Sequence, residues 1–463
     1  MSDTPDKTST EDGDAAKPKR FRLFLKRFFV WTLMIIVLWW LASAMIPGLP
    51  TPARGGRALL SLFKTVSDDL YQAANKGELE KAARMVQNEA AEHRVEVDTA
   101  KSGADRLPAE RRRRLPAVPV AEDSALRATM SAISKTPVIR GRVINILLVG
   151  IDSRLGVRNA RGDALHLITV NPDSAVVEIM SIPRDTYCDL GYPDTTSFNI
   201  ITNARGRGYP SFLKRIEELT NRGPVKYYVE VGFSQALGVL EMLGYNDPVN
   251  TLKFLRTRKS LPAGDVQRSY NQAVFIRQNL LSKFSLFTGA TGELILTAGL
   301  NFVTTNLTRE FCKGLIYSLE QRGFPDHRKD AVRVRMLPLY KIRLKEMTAD
   351  SATVARTIAR TKQLVSDDEF GPNIDVTSSL RKHNRAALAD SSRPGKVISR
   401  LRRLSEQHAW LQIQDYRTRI GVRDTLLNCL ERAYRQQGNH ADADRVIDIR
   451  RAEDVLIQKQ KKS

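Results

Sequence analysis

Cysteine and histidine are scarce in this chain of 463 residues, which holds three of one and six of the other. Cys188, Cys312 and Cys429 are too few and too scattered for a disulfide framework or a zinc site. They read as small apolar fillers, with room for one bridge at most. The histidines show no metal-ligand spacing, and His166, inside "ALHLITV", reads as a core or strand-edge residue. Acidic residues are also in deficit: 51 Asp+Glu stand against 73 Lys+Arg, a formal net charge of +22. That balance favours a polyanionic partner, whether nucleic acid, anionic headgroups or phosphorylated glycans.

One stretch lacks charge altogether. After "KPKRFRLFLKR" comes "FFVWTLMIIVLWWLASAMIPGLPTPA", uncharged until Arg54. Its apolar part, 28–47, is long enough to cross a hydrocarbon core of ~30 Å as a helix. The preceding cations orient the basic, polar tail 1–27 toward the cytoplasm. A cleaved signal peptide ending at "ASA" (42–44) is the competing reading; the long run and crowding aromatics favour the anchor. Either way the remainder lies outside the cytoplasm, in or on the inner membrane, which argues against nucleic acid and leaves membrane lipid and glycans as partners.

Residues 57–100 carry apolar residues at three- and four-residue intervals, with Gly77 between two runs, and predict a helical stalk or hairpin. A linker follows over 101–141, with prolines and "RRRR"; this run reads as solvated, or as a contact for anionic headgroups or wall polymer. The texture changes near Val143. "VINILLVG", "ALHLITV", "AVVEIMSI" and "VKYYVEVGF" read as buried strands, "SFLKRIEELTN" and "SQALGVLEMLG" as helices between them. The alternation predicts an α/β/α sandwich with a central mixed sheet over 142–366, closed by strand "AVRVRMLPLY" and helix "SATVARTIARTKQLV". Residues 380–463 are helical, and "AYRQQGNHADA" has the pattern of one tetratricopeptide-like hairpin. This accessory region is a candidate for protein contacts. It lies beyond every motif and is expected to be separable from the chemistry.

The stretch "GIDSRLGVRNARGDALHLITV" (150–170) puts two aspartates and three arginines between two apolar runs. Asp152 follows the first strand, Arg161 and Asp163 open the next, and Arg184 and Asp185 end the third in "SIPRDTY". Strand ends of one sheet can converge on a ligand. A second cluster, "LRTRKSLPAGDVQRSYNQ", places Arg256 and Arg258 on one face of an extended segment and Arg268 and Gln272 on one face of a helix. Guanidinium forks suit phosphate oxygens, and carboxylates suit Mg²⁺, which commonly bridges substrate phosphates. Spacing alone weighs this evenly against arginines in surface ion pairs.

The segments "INILLVGIDSR…RGDALHLITVNPDSAVVEIMSIPRDTY" and "YYVEVGF…FLRTRKSLPAGDVQRSYNQ" resemble the LytR–CpsA–Psr family in order and spacing over roughly 143–366. The resemblance implies a membrane-anchored transferase that moves glycopolymer from a polyprenyl-pyrophosphate carrier onto peptidoglycan. It implies Mg²⁺ at Asp152 and Asp163, and pyrophosphate at Arg161, Arg184, Arg256, Arg258, Arg268 and Gln272. Asp163, Arg184 and Asp185 become the catalytic candidates, with the proton acceptor left open between Asp163 and Asp185. Asn199 corresponds to a family asparagine. Departures are Asn271, where the family has arginine, and Gly232, where a carboxylate is frequent. The alternatives are a polyprenyl-pyrophosphate hydrolase and a non-catalytic wall-polymer scaffold.

Overall fold

The computed structural model describes residues 52–92, 94–95, 139, 141–153, 155, 161–193, 198–261, 263–325, 330–337, 347–364 and 374–460. The basic tail, the membrane-anchor segment and nearly all of the linker with its arginine run lie outside the described residues. No helix among the described residues is long and apolar enough to cross a membrane. The chain divides into two compact units at Ala73/Ala74. Of the first, the structure describes only the start of α1 (Pro52–Ala91).

Helix α1 runs unbroken through Gly77, which excludes a hairpin. Nor is its second half a free-standing stalk. Val86 and Ala90 are buried against Ile144, Ile146 and Phe311. Gly314 lets the helix in, since a Cβ there would meet the carbonyl oxygen of Ala82 at 2.3 Å. A two-stranded ladder of β1 (Arg94–Val95) and β2 (Gly141–Arg142) follows.

The central sheet has six strands: β3 (Ile144–Ile151), β4 (Gly162–Asn171), β5 (Val176–Ile182), β6 (Tyr227–Val231), β7 (Thr304–Thr305) and β8 (Val332–Met336). Their order is β7-β6-β3-β4-β5-β8. β3 pairs antiparallel with β4 and parallel with β6; β5 pairs antiparallel with β4 and parallel with β8. The sheet is therefore mixed, as expected. Its strands are apolar on both sides because helices cover both faces. Leu147, Val149, Leu165, Leu167 and Ile182 pack against α2 (Tyr209–Thr220) through Phe212 and Ile216. The alternate residues Val170, Val177 and Ile179 pack against Ala273 of α5 (Gly264–Lys283) and Leu319 of α7 (Arg309–Glu320). Between β6 and α7 come α3 (Phe233–Met242), α4 (Pro248–Arg256), α5 and α6 (Gly289–Phe302); α8 (Ser351–Leu364) closes on α4 through Val354 and Ile358.

Four further helices, α9 (Val376–Ala389), α10 (Pro394–Glu406), α11 (Tyr416–Gln436) and α12 (His440–Gln460), build a core around the fully buried Trp410. Ala433, Tyr434 and Ala443 of the tetratricopeptide-like pattern lie in that core, and Gly438 turns between α11 and α12 at φ +73°. The core also takes in Phe302 of α6 and Leu155, so these helices share buried surface with the α/β part. Polar stitches reinforce the contact: Arg419 donates a fork to Glu241 at 2.7 and 2.9 Å, and Gln412 Nε2 donates to Ser234 Oγ at 2.8 Å. The three cysteines are free, two of them buried.

Candidate active site

The register explains why distant motifs meet. β3 and β6 run parallel and end together at Gly150 and Val231; antiparallel β4 begins at that end, and β5 finishes there at Ile182. Asp152, Asp163 and Arg184 thus emerge at one edge of the sheet. A bulge refines this. Gly150 pairs with Ala164 but Ile151 with Gly162, so Asp163 is the extra residue. Bulges re-aim a side chain beside a site. Here Asp163 and its neighbour Ala164 both line the same cavity, which strict alternation would forbid.

That cavity, about 210 Å³, lies between the sheet and α3, α4 and α5. Leu148, Ile151, Val231, Phe233, Leu252, Leu255, Phe275 and Ile276 make its walls largely apolar. Its charged residues are Asp152, Asp163, Arg256 and Arg268. Arg184 Nη1 donates to Asp163 Oδ1 at 2.7 Å. Arg268 Nη2 donates to the Asp163 carbonyl at 3.0 Å, an acceptor that the bulge takes out of the ladder. Arg256 forks onto Asp152 at 3.3 and 3.1 Å and stacks over Phe233 at 5.1 Å.

Sequence reasoning missed Asp265. It stands 2.7 Å from Arg268 Nη2 and 3.5 Å from Arg184 Nε, tying the two clusters together. Its spacing of three from Arg268 on one helix face was the available signal. Burial pushes the Asp265 carboxyl above its ordinary range, against the pull of Arg268 and Arg184. Burial lowers the Arg268 pKa despite Asp265 and Asp163. Burial also opposes the charge of Arg184, but Asp265 and Asp163 outweigh it and raise its pKa. Two buried donors, Arg184 Nε and Arg268 Nε, have no hydrogen-bond acceptor in suitable geometry among the described residues. An unsatisfied buried guanidinium N–H is costly unless a ligand anion meets it.

The other expected residues are placed unequally. Arg256 ends α4 rather than lying on an extended segment, so it turns to Asp152, while Arg258 acts electrostatically on Asp265 and Arg268. Asp185 is exposed, 3.7 Å from Arg184 Nε. Gln272 lines the cavity, but its Nε2 donates to the Leu255 carbonyl at 2.8 Å, bracing α5 on α4. Arg161 is not brought to this cavity; the bulge at Asp163 separates the two, and Arg161 lines a neighbouring cleft. Asn199 is occupied structurally. Its Oδ1 accepts from the amides of Leu190 and Tyr192, and its Nδ2 donates to the Tyr192 carbonyl. His166 is buried and lines the cavity beside Gln272, and burial lowers its pKa to about 4.

Among the described residues no three His, Cys, Asp or Glu gather as a metal cluster. Two carboxylates on one cavity still fit Mg²⁺, which takes one or two protein carboxylates and completes its shell with phosphate and water. Asp163 Oδ2 accepts no hydrogen bond among the described residues.

Residues 121–244 match the LytR_cpsA_psr family model. Over those residues the chain is similar to the LytR–CpsA–Psr family. A polyisoprenyl-teichoic acid–peptidoglycan teichoic acid transferase TagU of Bacillus anthracis is 30% identical over 197 residues, covering 37% of this chain and 63% of that protein. TagU of Oceanobacillus iheyensis is 30% identical over 207 residues, covering 37% and 62%. The chain thus spans less than two thirds of these relatives' length. Among solved structures, B. subtilis TagV aligns with a TM-score of 0.33 and 20% identity over 48% of this chain and 97% of its own. B. subtilis TagT aligns with a TM-score of 0.32 and 19% identity over 48% and 91%.

Proposed function

We propose that this protein is a glycopolymer phosphotransferase of the LytR–CpsA–Psr kind. It takes a glycan from a polyprenyl-pyrophosphate carrier, joins it to a hydroxyl of peptidoglycan and releases polyprenyl phosphate. The observation that carries this is a pair of buried guanidinium donors without an acceptor: Arg268 Nε, on a residue that lines the apolar cavity, and Arg184 Nε, on the arginine that holds the cavity's Asp163. A lipid pyrophosphate has the matching chemistry: an isoprenoid for the apolar walls and anionic oxygens for the guanidinium groups. The named relatives are teichoic acid transferases, which agrees with a glycan cargo.

Arg184 and Arg268 bind the pyrophosphate, while Asp163 and Asp265 hold both guanidinium groups in place before substrate arrives. Arg256, braced by Asp152 and Phe233, supplies a further cation. These fixed charges neutralise the pyrophosphate and stabilise the leaving polyprenyl phosphate as negative charge gathers on it. The acceptor oxygen bonds to the glycan-bearing phosphorus, the bond to the bridging oxygen breaks, and the hydroxyl proton passes to a carboxylate or water. Asp152 and Asp163 would hold Mg²⁺, which when bound supplies Lewis-acid neutralisation of the phosphate oxygens. The catalytic part works outside the inner membrane, anchored by residues 28–47. The test is turnover of a polyprenyl-pyrophosphoryl sugar, with and without peptidoglycan and with Mg²⁺ or chelator. Release of free sugar phosphate even with acceptor present makes the protein a hydrolase; no turnover leaves the scaffold reading.

A further inference from the structure

A second cleft, about 690 Å³, adjoins the first and shares Ile151 with it. As β3 runs out, Asp152 lines the first cavity and Ser153 the second. From the α/β part the cleft receives Arg161, Asn203, Arg205, Gln235 and Thr304; from the C-terminal helices it receives Arg403, Glu406 and Gln407. Its chemistry is polar, where the first cavity is apolar.

The charges in the cleft are arranged. Arg205 forks onto Glu230 at 2.6 and 2.8 Å, and Tyr209 donates to the same carboxylate. Glu406 accepts from Arg402 at 2.8 Å. Arg161 and Arg403 line the cleft beside the Arg205–Glu230 pair and Glu406, so arginines outnumber carboxylates there and the cleft is cationic. Ser153 is buried and lines the cleft. Gly232 maintains this neck: a Cβ there would meet Ser153 Oγ at 2.3 Å and Gln235 Oε1 at 2.9 Å. Gln235 accepts from the Gly232 amide at 2.6 Å and reaches across to the Glu406 carbonyl at 3.3 Å. The bare position 232 thus frees Gln235 to tie α3 to the C-terminal helices that form the far wall.

We infer that this cleft binds an anionic glycan strand, and that the C-terminal helices are one of its walls rather than an appendage. Amides and hydroxyls suit sugar hydroxyl and acetamido groups, and the two arginines suit carboxylate or phosphodiester groups along the strand. The inference rests on the proposed transfer reaction for its meaning, since a glycan held there would lie next to the pyrophosphate.

The test measures binding by the full chain of two probes, a soluble peptidoglycan fragment and a polyol-phosphate oligomer. The variants are Arg403→Glu and a control with the same charge change, Arg445→Glu, on exposed α12. Arg403→Glu should weaken binding of at least one probe about tenfold or more, as loss of a charge-assisted contact does. Arg445→Glu should not, and both should melt like wild type. A peptidoglycan effect identifies the acceptor and an oligomer effect the donated polymer. Equal affinities for Arg403→Glu and wild type, or no binding of either probe, overturn the inference. Because loss of affinity could follow misfolding, Gln407→Ala is measured beside it and should also weaken the same probe. Polyprenyl pyrophosphate binding is assayed separately: its absence in wild type defeats the transfer reading, whatever the glycan result.

Discussion

Arg184, just beyond the end of β5, donates to Asp163 at 2.7 Å, and Asp163 is the residue that a bulge in β4 turns out of the ladder's alternation. The same bulge frees the Asp163 carbonyl for Arg268. One irregular residue therefore orients both cations of the proposed pyrophosphate site. Asp163→Asn keeps the volume and removes the charge. Turnover of a polyprenyl-pyrophosphoryl sugar should drop about a hundredfold, with folding intact and poor rescue by excess Mg²⁺. Wild-type rates in that variant would show that the carboxylate is only structural.

Arg256→Lys preserves the charge and loses both the fork on Asp152 and the stack on Phe233. An ammonium cannot reproduce either contact. Affinity for the lipid pyrophosphate should weaken about tenfold, the order expected for one lost charge-assisted bond. Titration of the full chain with polyprenyl pyrophosphate reads this directly. Unchanged affinity would mean that Arg256 serves only to hold Asp152.

His166 gives the molecule an acid sensitivity. Burial lowers its pKa from 6.5 to about 4, so the unfolded chain protonates it first as pH falls. The stability concerned is fully present above pH 6.5 and is lost as pH drops toward 4, by about 3 kcal/mol in all. His166→Leu should therefore melt higher than wild type at pH 5 relative to their difference at pH 8. Parallel melting curves at both pH values would remove His166 from the account.

The strands were readable because their apolar runs are short and β-branched, and the mixed sheet with helices on both faces agrees with that pattern. The convergence of Asp152, Asp163, Arg184 and Arg268 followed from strand ends and helix spacing. The separation of Arg161 did not, because a bulge is a one-residue register shift with no composition of its own. Asp265 was missed because its spacing to Arg268 acquires meaning only when Arg184 arrives from β5. Asn199 was singled out only by its correspondence to a family asparagine; its side chain closes the loop onto Leu190 and Tyr192, contacts that periodicity does not show. Gly77 suggested a break in α1, but a glycine lowers helix propensity by only about 1 kcal/mol, and the burial of Leu79, Ala82 and Val86 outweighs it.

The C-terminal helices were expected to be separable, and their packing predicts otherwise. Phe302 of α6 is buried in the same core as Trp410, Leu426 and Leu430. Gly238 of α3 sits where even a methyl group would come within 2.9 Å of Leu411. Removal of residues from 374 onward would expose Phe302 and leave Ser234 and Glu241 without their partners Gln412 and Arg419. Burial of one large aromatic stabilises by about 1.5–3 kcal/mol, and each lost polar partner adds to the deficit. The truncated chain should melt well below the full chain and aggregate. Arg419→Ala alone should cost about 1–2 kcal/mol, since it breaks a fork across the contact and leaves Glu241 half-buried. Thermal unfolding of both variants measures this. If the truncated chain melts at the wild-type temperature, the helices are an independent module, and the cleft they wall cannot be part of the catalytic machinery.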